Sequence, residues 1–167
     1  MGDPTGLSLL AIGEQQIGER GFVEALRSLD VPLFGICLGM QLLFDASEEQ
    51  NATCLGLLPG TVQALPASAK IRVPHMGWNQ VIARRRDDAL LRELPKDAQA
   101  YFVHSYAAPV TIDCIATATH GIPFAAIVRR GNVMGAQFHP ERSGAMGQRV
   151  LRNFLAVARS TRRKELA

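Results

Sequence analysis

Residues 31–37, VPLFGIC, form an almost wholly apolar run, and the chain turns directly from it into GMQLLFDAS, where Met40, Leu43 and Phe44 recur at helical spacing. A short apolar run entered through Pro32 and closed by a sharp turn predicts a strand buried on both faces. The segment therefore reads as a central parallel strand, a tight turn at Gly35-Ile36-Cys37-Leu38-Gly39 and a helix. That unit belongs to an α/β fold, and at 167 residues with 47% hydrophobic and 20% charged positions the chain fits one globular domain.

The remaining punctuation fills in the sheet. A helix is expected near Glu19 to Leu29, while residues 1–18 show no sustained period and stay unassigned. Between Leu55 and Arg86, Gly and Pro separate short β-prone stretches, which predicts antiparallel strands or hairpins beside the main sheet. Asp87 to Leu94 predicts one or two helical turns. Ala100 to Tyr106 and Asp113 to Thr119 are β-rich, and FAAIVRRGNVMGAQFHP reads as two strands joined at Arg130-Gly131-Asn132. A helix from about Ala145 to Arg159 follows, with Val150, Leu151, Phe154, Leu155 and Ala158 on its apolar stripe and Ser143 at its N-cap.

Gly35 to Gly39 has the Gly-x-nucleophile-x-Gly form in the strand-to-helix setting that gives this motif meaning. A nucleophile at the apex of so tight a turn is held in a strained conformation, and the flanking glycines let strand and helix pass closely. The backbone N–H of Leu38 and the positive end of the helix are then expected to face Cys37, lowering its pKa and offering an oxyanion donor. By itself the motif also fits an inert core cysteine. Gly135 to Glu141, GAQFHPE, tips the balance: His139 and Glu141 stand two residues apart, so that Glu141 can hold one imidazole nitrogen while the other faces the thiol. His-Pro-Glu alone at a strand end is more often a turn than a catalytic pair.

These segments resemble the class I (triad) glutamine amidotransferases, and among them the glutaminase subunits of imidazole glycerol phosphate synthases. GICLGMQLLF followed by SEE, then PHMGWN, YFVHSY and GAQFHPERSG, stand in that family's order from about Glu19 to the C-terminal helix. The resemblance implies a flavodoxin-like mixed sheet flanked by helices, and a glutamine amidotransferase domain over residues 19–167. It implies Cys37 as the nucleophile that forms a glutamyl thioester, His139 as general base and acid, and Glu141 as its orienting partner. It also implies glutamine binding by Leu38, Gly39, Gln41 and Glu49, with the Ser105-Tyr106 backbone on the substrate's α-carboxylate. His75, Met76, Gly77, Trp78 and Asn79 would lie toward a cyclase partner, a (β/α)8 barrel that receives the ammonia in histidine biosynthesis. His104 and His120 are assigned to structure, and Cys54 and Cys114 to packing.

Relative to that family the chain reaches its nucleophile early. The strands that precede it in relatives and a Pro-Gly-x-Gly loop that gives a second oxyanion donor are not seen, and Ala11-Ile12-Gly13 is too close to Glu19 to replace the loop. Such a loss is expected to expose a sheet edge and to lower turnover about a hundredfold to a thousandfold. Two other functions fit the same residues: a catalytically impaired cyclase-binding protein, and a glutaminase serving a different synthase.

Other classes are disfavoured. Three widely spaced cysteines and four histidines without short ligand spacing predict reduced thiols and no metal. Thiol acyl transfer needs no cofactor. The net charge of +3 owes much to Arg159, Arg162, Arg163 and Lys164 at the C-terminal end, and aromatics at 6% argue against nucleic-acid binding. No apolar run approaches the roughly 20 residues of a membrane helix and no leader pattern opens the chain, which predicts a cytoplasmic protein.

Overall fold

The computed structural model describes residues 20–28 and 30–165. The unassigned segment 1–18 and Ala11-Ile12-Gly13 lie outside them. Helix α1 (Arg20–Arg27) leads to β1 (Leu33–Ile36), the short helix α2 (Leu38–Gln41), and the two-residue strands β2 (Ala46–Ser47) and β3 (Ala52–Thr53). Next come β4 (Thr61–Ala64), β5 (His75–Gln80) and β6 (Ile82–Ala83), then β7 (Gln99–His104) and β8 (Tyr106–Ala107). The chain closes with β9 (Cys114–His120), β10 (Ile122–Arg130), β11 (Val133–Ala136) and α3 (Gly144–Glu165).

The main sheet has the order β1-β11-β10-β9-β6. β1 and β11 are parallel, with Gly35 opposite Gly135, and the other pairings are antiparallel, so the sheet is mixed as expected. The β10–β11 hairpin turns at Gly131, whose φ of 57° suits a residue without Cβ. Smaller sheets flank it: β3-β2-β4-β8, and the β5–β7 ribbon in which His75 pairs with His104 and Trp78 with Tyr101. Between them Phe102, Phe124, Phe138, Ile115 and Ile127 are almost wholly buried, each contributing about 1.5–3 kcal/mol by leaving water.

Three local expectations are corrected. β1 is an edge strand among the described residues, not a central one, with Ile36 exposed on it and Val31 exposed just before it. Its apolar run resembles a doubly covered strand because such runs do not reveal which side lacks a partner. The helix after Cys37 lasts one turn: the carbonyls of Leu42, Leu43 and Phe44 accept from Leu55, Leu57, Leu58 and Gly56 instead of continuing a helical ladder. The helical turn expected within residues 87–94 does form, as the 3₁₀ turn Ala89–Leu91 with its Leu90 N–H bonded by the Asp88 carboxylate. On α3 the buried line is Met146, Val150, Asn153 and Val157, whereas Leu155 is 51% exposed. Buried Asn153 belongs to that line because its amide donates to the Leu90 and Arg92 carbonyls.

Candidate active site

Steric contact dictates the turn at Cys37. A Cβ on Gly35 would sit 2.4 Å from the Gly39 carbonyl oxygen, so strand and helix can cross only over a glycine. Gly39 has open space where its Cβ would be, and close passage does not require it. Cys37 itself holds φ 51° and ψ −109°, a conformation that costs a residue with a side chain about 1–3 kcal/mol. Its N–H is tied to the Ala136 carbonyl at 2.8 Å, and its carbonyl accepts from Met40 and Gln41. The apex is thus clamped from both sides.

Around the sulfur, the Val103 carbonyl can accept from the thiol at 3.8 Å and the Gln137 amide donates to Sγ at 3.8 Å. Burial pushes the Cys37 thiol up, with smaller upward pushes from Glu141 and Glu49, while the Leu38 N–H and the Gln137 amide pull it down. The expected lowering is therefore reversed. A one-turn helix supplies little dipole, and desolvation of the thiolate wins.

His139 follows β11 in extended conformation, and residues 140–142 then form a 3₁₀ turn that brings Glu141 back onto the ring. The His139 Nδ1 to Glu141 Oε1 distance is 2.9 Å, so the predicted pair is formed, and the 3₁₀ turn is what closes it. Glu141 is largely exposed and the ring about a quarter exposed, yet Nε2 is buried and has no hydrogen-bond partner among the described residues. With Nδ1–H donated to the carboxylate, Nε2 carries the lone pair. Ser143 does not cap α3 with its hydroxyl. Instead Oγ donates to the His139 carbonyl and accepts from the Tyr101 N–H, while the His139 N–H donates to the Tyr101 carbonyl. The histidine backbone is fixed to β7 through both its polar groups. The close approach of α3 to this turn depends on Gly147, where a Cβ would meet the Pro140 carbonyl oxygen at 1.9 Å.

The other expected substrate positions converge on the same corner. Leu38 follows Cys37 directly, and its N–H acts to lower the thiol pKa. Gln41 is buried, and its amide donates to the Tyr106 carbonyl at 2.8 Å and to Gln137 Oε1 at 3.0 Å. Ser105 forms the bend between β7 and β8 and accepts from the Leu65 N–H. Half-buried Glu49 opens a 3₁₀ turn, its carboxyl pushed up by burial and felt at Cys37.

Comparison with known proteins decides the family. The glutamine amidotransferase class-I profile matches residues 14–158. The imidazole glycerol phosphate synthase subunit HisH of Xanthomonas axonopodis pv. citri is 59% identical over 139 residues, 83% of this chain and 69% of the relative. The HisH subunit of Xylella fastidiosa strain Temecula1 is 56% identical over 142 residues, 85% of this chain and 70% of the relative. The chain belongs to the class-I glutamine amidotransferase family. Solved structures agree on the fold: a candidate GMP synthase component from Thermoplasma acidophilum superimposes with TM-score 0.68 at 17% identity, covering 95% of this chain and 71% of that one. A further glutamine amidotransferase gives TM-score 0.61 at 21% identity, covering 89% and 74%.

In this amidotransferase the segment expected to face a partner is split by strand alternation. Met76 and Trp78 are 64% and 56% exposed, but His75 is buried, stacked on Phe102 and on His120. Asn79 also turns inward, its amide bonding the Thr119 carbonyl and the His75 ring. Trp78 packs edge-on against Tyr101, over which the Arg142 guanidinium lies. Gln137, beside the sulfur, is a site residue that the sequence does not reveal, because in GAQFHPE it reads as one more strand position. Cys54 and Cys114 are buried, as expected of packing residues. Among the described residues no group of three or more His, Cys, Asp or Glu side chains is placed to hold a metal, and no helix is long and apolar enough to cross a membrane.

Proposed function

We propose that this chain is the glutaminase subunit of an imidazole glycerol phosphate synthase, hydrolysing glutamine to glutamate and ammonia in the cytoplasm. The Cys37 thiolate attacks the side-chain amide carbon as His139 Nε2 takes the thiol proton, and the Leu38 N–H receives charge developing on the oxygen. Collapse of that adduct breaks the C–N bond; His139 returns the proton to the nitrogen, ammonia leaves and a glutamyl thioester remains. Water, deprotonated by His139, then releases glutamate and the thiol. Gln41, Glu49 and the Ser105-Tyr106 backbone hold the amino-acid end of the substrate.

The observation that supports this chemistry most is His139: one ring nitrogen is tied to Glu141 at 2.9 Å and the other is buried with its lone pair unused. Ammonia passes to a cyclase of (β/α)8 form docked over Met76 and Trp78, exposed apolar side chains of the type that anchor interfaces. The test is glutamine hydrolysis by the purified chain with and without the cyclase and its ligand. Hydrolysis that rises with the cyclase and vanishes in Cys37→Ala is expected. Hydrolysis that survives Cys37→Ala contradicts the mechanism, and stimulation by an unrelated synthase but not by the cyclase contradicts the acceptor.

A further inference from the structure

Behind the Cys37 sulfur runs a chain of buried polar groups whose direction is set by one carbonyl. The Tyr106 oxygen can only accept, so the Gln41 amide nitrogen 2.8 Å away must donate. That nitrogen's second hydrogen reaches Gln137 Oε1 at 3.0 Å, so Gln137 must present its own amide N–H groups to the other side, where Sγ of Cys37 lies at 3.8 Å. On the far side the same carbonyl lies 2.8 Å from His104 Nδ1, which is therefore the protonated ring nitrogen. His104 Nε2 then accepts from His75 Nδ1 at 3.0 Å, and His75 Nε2 accepts from Asn79 at 3.2 Å. Neither amide can flip without leaving a buried donor facing a donor or an acceptor facing an acceptor, at about 1–3 kcal/mol for each group left unpaired.

We infer that Gln137 is a positioning residue for the nucleophile: its amide, locked by Gln41 and the Tyr106 carbonyl, aims a hydrogen-bond donor at the Cys37 sulfur. The inference rests on Cys37 being the nucleophile. The geometry gives the sulfur two hydrogen-bonding settings. The thiol S–H donates to the Val103 carbonyl, whereas the thiolate loses that donor role and is held by the Gln137 amide. Gln137 thus offsets part of the desolvation that burial imposes on the charged form. Completely buried, it has no contact with solvent that would otherwise account for a polar side chain at this position.

The direct test is the pH dependence of Cys37 alkylation by iodoacetamide in the full chain, read from the mass of the Cys37 peptide. Gln137→Met removes the donor while keeping length. Gln137→Glu keeps the shape and an acceptor for Gln41, and carries the test if the methionine disturbs packing. We expect both profiles to move to higher pH with the high-pH plateau unchanged, the rate near neutrality falling roughly tenfold for each unit of displacement. Unchanged protection of the buried Cys54 and Cys114 serves as the control for an intact fold. With the cyclase present, kcat should fall while KM holds. Profiles that overlay the parent in the folded variants would overturn the inference. Failure of the nucleophile assignment would show separately, as glutamine hydrolysis retained in Cys37→Ala.

Discussion

The two halves of the site are built differently. On the Cys37 side, backbone meets backbone: Gly35 crosses Gly39, the apex N–H is taken by Ala136, and the sulfur is approached by groups that are themselves locked. On the His139 side, the imidazole ring is a quarter exposed, its carboxylate partner is 57% exposed, and its backbone is attached to β7 by Tyr101 and Ser143. Here Tyr101 also carries the exposed Trp78 ring, the surface over which a partner is proposed to dock. Cys37, the proposed nucleophile, is therefore fixed by the fold, while His139, the proposed base, is held by contacts at the rim.

The largest effect should come from breaking the rigid half. Gly35→Ala places a methyl against a backbone carbonyl that cannot rotate away, and should cost about 3 kcal/mol or more in urea denaturation. Gly39→Ala, with open space at its Cβ, should cost less than about 1 kcal/mol. Similar costs for the two would show that the turn is not set by that crossing. Next is the rim. Glu141→Gln should lower kcat by roughly 10²-fold, in the range for disturbing a general base, with little change in the melting temperature because the side chain is largely exposed. A large loss of stability would place Glu141 among structural residues.

Trp78→Ala should weaken binding to the cyclase about tenfold to thirtyfold, as loss of an aromatic anchor does, and leave the stability of the isolated chain within about 0.5 kcal/mol. Titration calorimetry showing unchanged affinity would move the interface elsewhere. A separate prediction concerns the buried histidines of β5 and β7. Burial holds His75 and His104 at about 4 instead of the ordinary 6.5. Below pH 6.5 the unfolded chain therefore binds protons that the folded chain refuses, so stability should fall as pH drops from 6.5 to 4 and this contribution should level off below. The urea midpoint measured across that window should decline less steeply in His104→Gln. A flat profile in the parent chain would mean that both rings are protonated within the fold.

Short-range features were legible in the sequence. The strand-to-helix turn at Cys37 and the His139–Glu141 pair depend on spacings of a few residues, and both form. The hairpin at Gly131 and the C-terminal helix were readable for the same reason. What escaped depends on partners far along the chain. β1 looks central in its apolar run but pairs only with β11 among the described residues, and the helix after Cys37 ends because residues 55–58 claim the carbonyls that follow it. Gln137 acquires a role only when a residue 100 positions away is packed against it, and His75 and Asn79 separate from Met76 and Trp78 only once β5 has a buried side. The downward shift expected for the Cys37 thiol failed on the same ground, since the burial that opposes it is a property of the folded whole.

If Cys37 is the nucleophile of a glutaminase and His139 its base, a glutamine-shaped electrophile should find that one thiol. A chloroketone analogue of glutamine, incubated with the chain and its cyclase partner before digestion and mass mapping, puts both roles to the test at once. A single adduct on Cys37 is expected, suppressed by excess glutamine and formed far more slowly in His139→Ala. Labelling of Cys54 or Cys114 at a comparable rate, or Cys37 labelling that ignores both glutamine and the loss of His139, would contradict these roles.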